Sequence, residues 1–242
     1  MRIRGLLFDK DGTLIDYHAS WMPINRQVVL FAASGNLALA ERLLVHGGYD
    51  AMSGRVKANT PLAAGTPEDI ATCFAEMLGG IVSGDLAAEV NRIFHEGGGS
   101  SVLVPGAVAA LDVFRARASH LGIATSDSKA GLEASLAPHG ILDKFDFHAA
   151  YDSGHGLKPG PGMALAFCAA CGLDPGEICV IGDNRHDLDM GRSAGAGMVV
   201  GVLTGTSTLD DFSDHADCIY PGIADMAADA AFLRLLANSD SV

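Results

Sequence analysis

From about residue 100 onward, short apolar runs alternate with segments of helical spacing, and that rhythm leaves few architectures open. Leu121–Thr125 (LGIAT), Ile178–Ile181 (ICVI) and Met198–Leu203 (MVVGVL) read as buried strands, with Phe145–Ala149 and Cys218–Tyr220 as weaker ones. Between them, Pro105–Ala118, Ser128–Ala137, Gly160–Cys171 and Arg185–Ala194 read as helices, and a last helix runs to near Ala237. Such alternation predicts a parallel sheet covered by helices on both faces. One more strand, Ile3–Phe8, stands alone at the N-terminus, and helical spacing dominates from about Asp16 to Phe94. The expected class is α/β: a doubly wound parallel sheet from residues 1–15 and 100–242, with an all-helical domain of residues 16–99 inserted after the first strand.

Inside the insert, Thr66-Pro67-Glu68-Asp69 offers an N-cap, a first-turn proline and acids where the helix dipole favours them. A helix is expected from there to about Leu78, ended by Gly79-Gly80, and another from Asp85 to about His95. Gly97-Gly98-Gly99-Ser100-Ser101 reads as a hinge between insert and core.

Composition narrows the function classes. The chain has 242 residues, enough for one large domain or one with an insert. Its formal charge of −13 disfavours nucleic acid, whose phosphates are held by clustered Lys and Arg, and disfavours anionic membrane surfaces. No segment approaches the ~18 apolar residues of a membrane-spanning helix. The N-terminal stretch places acids directly after a short apolar run, unlike a secretory signal, so the expectation is a cytosolic protein. Cys73, Cys168, Cys171, Cys179 and Cys218 are odd in number and scattered, which is not a disulfide framework.

In open parallel sheets, ligands sit at the carboxyl ends of the strands. Asp9-Lys10-Asp11-Gly12-Thr13 follows the first strand; Thr125, Ser126 and Asp127 lie at the end of LGIAT; Gly182-Asp183-Asn184-Arg185-His186-Asp187 follows ICVI. Lys158 lies in the loop before the Gly160 helix. Four gathered carboxylates repel one another unless a cation sits among them, and an all-oxygen donor set points to Mg²⁺ rather than zinc. A lysine and a hydroxyl nearby suit a phosphate, and a second aspartate two residues after the first suits proton transfer. Together these are the requirements of phosphoryl transfer through a carboxylate. In extended backbone, Asp9 and Asp11 share one face and Lys10 takes the other.

These residues also carry a resemblance. FDKDGTL at Phe8–Leu14, Thr125, Lys158 and GDNRHD at 182–187 resemble, in order, the four motifs of the haloacid dehalogenase-like superfamily. The insert falls where that superfamily carries a C1-type cap on its Rossmann-like core. The resemblance implies that Asp9 is the nucleophile forming an aspartyl-phosphate, and that Asp11 is the general acid and then the base. It implies that Thr125 and Lys158 bind the phosphoryl group, with Ser126 beside them. It further implies that Asp9, the Asp11 carbonyl and Asp183 hold Mg²⁺, that Asp187 supports the metal or Lys158, and that Gly12 and Thr13 shape the turn. In cap type and length the chain resembles the phosphoglycolate phosphatase branch, so a small phosphorylated metabolite is the expected substrate and phosphoglycolate the first to test. A sugar phosphomutase is the alternative within the superfamily, and a receiver-like phospho-switch the alternative outside it.

Blander roles compete for several residues. Asp189 fits ordinary dipole compensation, and Ser126 and Asp127 fit a helix cap. Cys168 and Cys171, spaced CxxC inside a predicted helix with no second pair, read as buried small residues. His46, His95 and His120 read as surface or helix-end residues, while His186 is open between cleft and solvent. In the insert, Trp21, Arg55 and Lys57 are candidates for substrate choice, the two cations for an anionic substrate or simply for a solvated basic face.

Overall fold

A computed structural model describes residues 2–80, 85–212 and 214–236. The first strand, β1 (Gly5–Phe8), is wholly buried, and its side chains split between two cores. Leu6 and Phe8 enter one apolar cluster and Leu7 the other, the period-2 alternation of a strand covered on both faces.

The insert follows: α1 (Tyr17–Ala32), α2 (Leu37–His46), β2 (Tyr49–Asp50), β3 (Arg55–Val56), α3 (Pro61–Ala64), α4 (Pro67–Met77) and α5 (Leu86–Gly98). α4 starts as its sequence dictates, with a reciprocal capping box between Thr66 and Asp69. It ends before Gly79 and Gly80, both at positive φ. The insert buries its own core, in which Val28, Leu43, Phe74 and Val90 are fully enclosed. It is helical except for β2 and β3, an antiparallel ribbon of two residues per strand, too short to leave an alternating pattern.

The first half of the glycine run is helix. Gly97 and Gly98 belong to α5, and a methyl group on Gly97 would stand 2.6 Å from Ile24 of α1. On Gly98 it would stand 3.3 Å from Ala134 of the core. Small residues there let α5 press against both neighbours, a packing role that composition alone does not separate from a hinge.

The remaining core comprises α6 (Ala107–Arg115), β4 (His120–Ala124), α7 (Lys129–Leu136), β5 (Phe147–Ala149), α8 (Gly162–Cys171), β6 (Ile178–Gly182), α9 (Arg185–Ala194), β7 (Met198–Val202), α10 (Leu209–Phe212), β8 (Cys218–Tyr220), α11 (Ile223–Ala228) and α12 (Ala230–Leu233). The expected single C-terminal helix is two, broken at Asp229, whose carboxylate caps α12 through the Ala231 N–H (2.8 Å) and accepts from the Tyr220 hydroxyl (2.7 Å). Its expected end at Ala237 lies outside the described residues. The six-stranded sheet has the order β5-β4-β1-β6-β7-β8, all parallel. β1 thus lies centrally, with Leu7 in register with Gly122 of β4 and Val180 of β6. The chain winds outward from β1 in both directions, which creates a crevice at its carboxyl end. Among the described residues, no helix is long and apolar enough to cross a membrane.

Candidate active site

The crevice gathers its side chains from the ends of β1, β4, β6 and β7. Immediately past β1, the Asp9 N–H still donates to the Ile181 carbonyl of β6 (2.8 Å), which fixes where its buried carboxylate emerges. Lys158, from the loop before α8, places Nζ 2.6 Å from Asp9 Oδ1 and 2.6 Å from Asp187 Oδ1. Asp187 stands in the first turn of α9, where its Oδ2 accepts from the Asn184 N–H (3.0 Å) in a capping box. Asp183, just past β6, accepts on Oδ2 from the Thr206 N–H (2.8 Å) and hydroxyl (3.3 Å). One oxygen each from Asp9, Asp183 and Asp187 lies within 4.8 Å of the others.

This grouping is electrostatically incomplete. Three buried carboxylates share one ammonium, a formal excess of two negative charges. Burial pushes the Asp9 carboxyl up to about 6, against the pull of Lys158 and with the help of Asp187. Burial, reinforced by Asp9 and Asp187, holds Asp183 well above the ordinary carboxylate range. Burial also works against the Lys158 ammonium, but Asp187 and Asp9 outweigh it and its pKa rises. Hard oxygen donors with uncompensated negative charge fit a divalent cation such as Mg²⁺.

Two glycines let the backbone close around Asp183. Gly12, at φ +90°, would bring a methyl within 2.5 Å of the Asp183 carboxyl, and Gly205 within 1.8 Å of its Oδ2. The Thr204 hydroxyl donates to the Gly12 carbonyl (2.5 Å), tying the two segments together. Thr13 is buried beside this turn. The sequence does not single out Thr204–Thr206, although their place just past β7 is the same strand-end position that the other site residues hold.

Asp11 belongs to a second charged group. Its Oδ1 accepts from Trp21 Nε1 (2.5 Å) and from Lys10 Nζ (2.9 Å). Lys10 is fully buried and also donates to Asp127 Oδ2 (2.9 Å) and Ser135 Oγ (3.1 Å). The expectation that extended backbone separates Lys10 from Asp11 is therefore corrected. The chain bends at Lys10, whose carbonyl accepts from the Leu14 (2.8 Å) and Ile15 (3.0 Å) amides, and the bend brings the ammonium onto its neighbour's carboxylate. Burial pushes the Asp11 carboxyl up to about 6, with Lys10 opposing. Asp127, expected as a helix cap, is instead the buried partner of Lys10.

Thr125 is buried past β4, donating its N–H to Ala149 (2.9 Å) and accepting the Asp127 N–H on its hydroxyl (3.1 Å). With Ser126, it lines a cleft of about 550 Å³, counting its open mouth, that also receives Asp9, Asp11, Lys158 and Asp183. His186 faces this cleft, which sequence alone left open, and Trp21 contributes from the insert. Arg55 and Lys57 do not line it. Both are exposed, and Arg55 donates to the Gly205 carbonyl (2.9 Å), linking β3 to the loop after β7. All five cysteines are free thiols, and Cys168 is buried on α8 with Cys171 only partly so.

Carboxylates, an ammonium and hydroxyls converging at the carboxyl ends of neighbouring parallel strands mark an α/β enzyme. The model of the haloacid dehalogenase-like hydrolases matches residues 3–195, and the chain belongs to that family. A Dickeya dadantii (strain 3937) protein named Probable phosphatase IndB is 32% identical over 109 residues, spanning 45% of this chain and 47% of that one. The phosphoglycolate phosphatase of Yersinia pseudotuberculosis serotype I (strain IP32953) is 25% identical over 232 residues, covering 93% of this chain and 91% of its own. The crystal structure of a predicted phosphoglycolate phosphatase from Haemophilus somnus 129PT superposes with a TM-score of 0.71 at 23% identity, covering 94% and 98% of the two chains.

Proposed function

We propose that the protein is a Mg²⁺-dependent phosphomonoester hydrolase of small phosphorylated metabolites, working through an aspartyl-phosphate. Residues 16–99 form the cap over a core of residues 1–15 and 100–242. The observation that carries this reading is Asp9, fixed at the end of the central strand, 2.6 Å from Lys158 and within 4.8 Å of Asp183 and Asp187 oxygens. An Asp9 oxygen attacks phosphorus, a P–O bond forms, and the bond to the leaving alcohol breaks. Asp11, held above the ordinary carboxylate range, gives its proton to the departing oxygen and then takes one from the water that cleaves the acyl phosphate. Lys158, Thr125 and Ser126 hold the phosphoryl oxygens. Asp9, Asp183 and the main chain at Asp11 would hold Mg²⁺, with Asp187 supporting, and the bound ion supplies positive charge against the phosphate. Closing of the cap excludes water from the first step. Free thiols suit a cytoplasmic setting.

The test is phosphate release from a panel of phosphomonoesters, with Mg²⁺ and with EDTA. Metal-dependent multiple turnover is expected. A phosphorylated protein that never releases its phosphate points instead to a switch.

A pH experiment checks the ion. The Asp9 and Asp11 carboxyls lie at about 6 in the fold, above the 3.8 of a free carboxyl. The folded state therefore binds protons more tightly, and the metal-free protein loses stability as pH rises from 4 through 6. Mg²⁺ is expected to restore it at pH 7, by about 5–10 °C in melting temperature at a hundred times its Kd, and far less at pH 5, where protons compete. Equal shifts at the two pH values contradict binding at this cluster.

A further inference from the structure

The cap side of the cleft is apolar. Tyr17, Trp21, Leu62, Ile70 and Phe94 line it, and among the described residues it presents no lysine or arginine. Its polar hydrogens are already engaged. The Tyr17 hydroxyl donates to the Leu62 carbonyl and Trp21 Nε1 to Asp11. The main chain of the loop is equally closed. The Leu62 N–H donates to Gly47 (3.1 Å), those of Ala63 and Ala64 to Thr60 (2.9 and 3.1 Å), that of Gly65 to Pro61 (2.9 Å) and that of Thr66 to Asp69 Oδ2 (2.9 Å).

An anionic group reaching this wall leaves water and meets neither a cation nor a free donor. An apolar or ring surface, by contrast, finds aromatic and aliphatic partners. We propose that the enzyme selects phosphomonoesters whose alcohol part is uncharged and presents an apolar or aromatic face, and discriminates against alcohols bearing a carboxylate or second phosphate. The selection is made by Tyr17, Trp21, Leu62, Ile70 and Phe94. The inference rests on the phosphatase reading above. It separates this chain from relatives named for phosphoglycolate, whose alcohol part carries a carboxylate.

Matched esters differing by one carboxylate test it: phenyl against 4-carboxyphenyl phosphate, and ethyl phosphate against phosphoglycolate, on the Mg²⁺-loaded enzyme. The uncharged member is expected to have the higher kcat/KM by roughly 10- to 100-fold in each pair, although carboxyphenol is the better leaving group. Ala64→Arg, which adds a cation to the wall, is expected to shrink that ratio at least tenfold. Ratios of one or below in the wild-type enzyme, or a ratio unmoved by Ala64→Arg, overturn the proposal. Release from no ester at all overturns the phosphatase reading instead. Calorimetric binding of phenylphosphonate against 4-carboxyphenylphosphonate then judges the wall by itself: tenfold tighter binding of the first supports it, and equal affinities overturn it.

Discussion

Asp9→Asn is expected to reduce phosphate release by roughly a thousandfold or more while leaving the fold intact. The amide keeps the shape of the side chain but has no anionic oxygen to attack phosphorus. Its structural cost is small, for two reasons. The backbone at residue 9 is fixed by the Ile181 carbonyl rather than by the side chain, and Lys158 keeps its second partner, Asp187. The substitution also removes one of three crowded carboxylates, from a position where burial already pushes the acid up to about 6. The melting temperature without metal is therefore expected to hold or rise at pH 7. Initial rates, thermal unfolding and intact-protein mass after exposure to substrate check this. Turnover within tenfold of wild type, or a covalent phosphate still present on the variant, removes Asp9 from the nucleophile's role.

The largest stability effect is expected at Lys10. Lys10→Met fills the same space but leaves Asp11 and Asp127 without the ammonium they share, and strips Ser135 of a donor. Breaking a buried ion pair by removing one partner costs about 3–5 kcal/mol. Chemical denaturation of the variant is expected to show a loss of that size, together with a fall in activity as Asp11 keeps only Trp21 to orient it. Adding Asp127→Leu to Lys10→Met removes one orphaned charge and is expected to recover part of the stability. A loss below about 1 kcal/mol in the single variant contradicts a structural role for the ion pairs.

Much of the site is legible in the chain because its chemistry sits where strands stop. The ends of LGIAT and ICVI and the start of FDKDGTL declare themselves by a change from apolar to polar residues, and geometry brings them together at β1. What escaped is what depends on distant partners. Lys10 reads as turned away from its neighbouring acids until Asp127 and Ser135, more than a hundred positions away, are seen to enclose it. Gly205 is unremarkable until Asp183 is placed against it. Gly97 and Gly98 suggest slack in sequence and prove to be contacts, since composition reports freedom of the backbone but not what approaches it. The two cations of the insert stand out in an acidic chain, yet a two-residue ribbon carries Arg55 to the Gly205 carbonyl, outside the cleft lining. The apolar lining that replaces them comes from α1, α3, α4 and α5 together, a convergence no single segment reveals.

The central place of β1 also has a consequence for biosynthesis. Its neighbours in the sheet begin at residues 120 and 178, so the strand bearing Asp9 is translated long before anything exists for it to pair with. At ribosomal rates of about 5–20 residues per second, the wait from Phe8 to the end of β6 is roughly ten to thirty-five seconds. The insert, whose core is drawn from its own helices, is complete well within that interval. A chain interrupted before Asp183 carries Asp9 without the two carboxylates that join it in the fold, so the acidic cluster assembles only after roughly three-quarters of the message has been read.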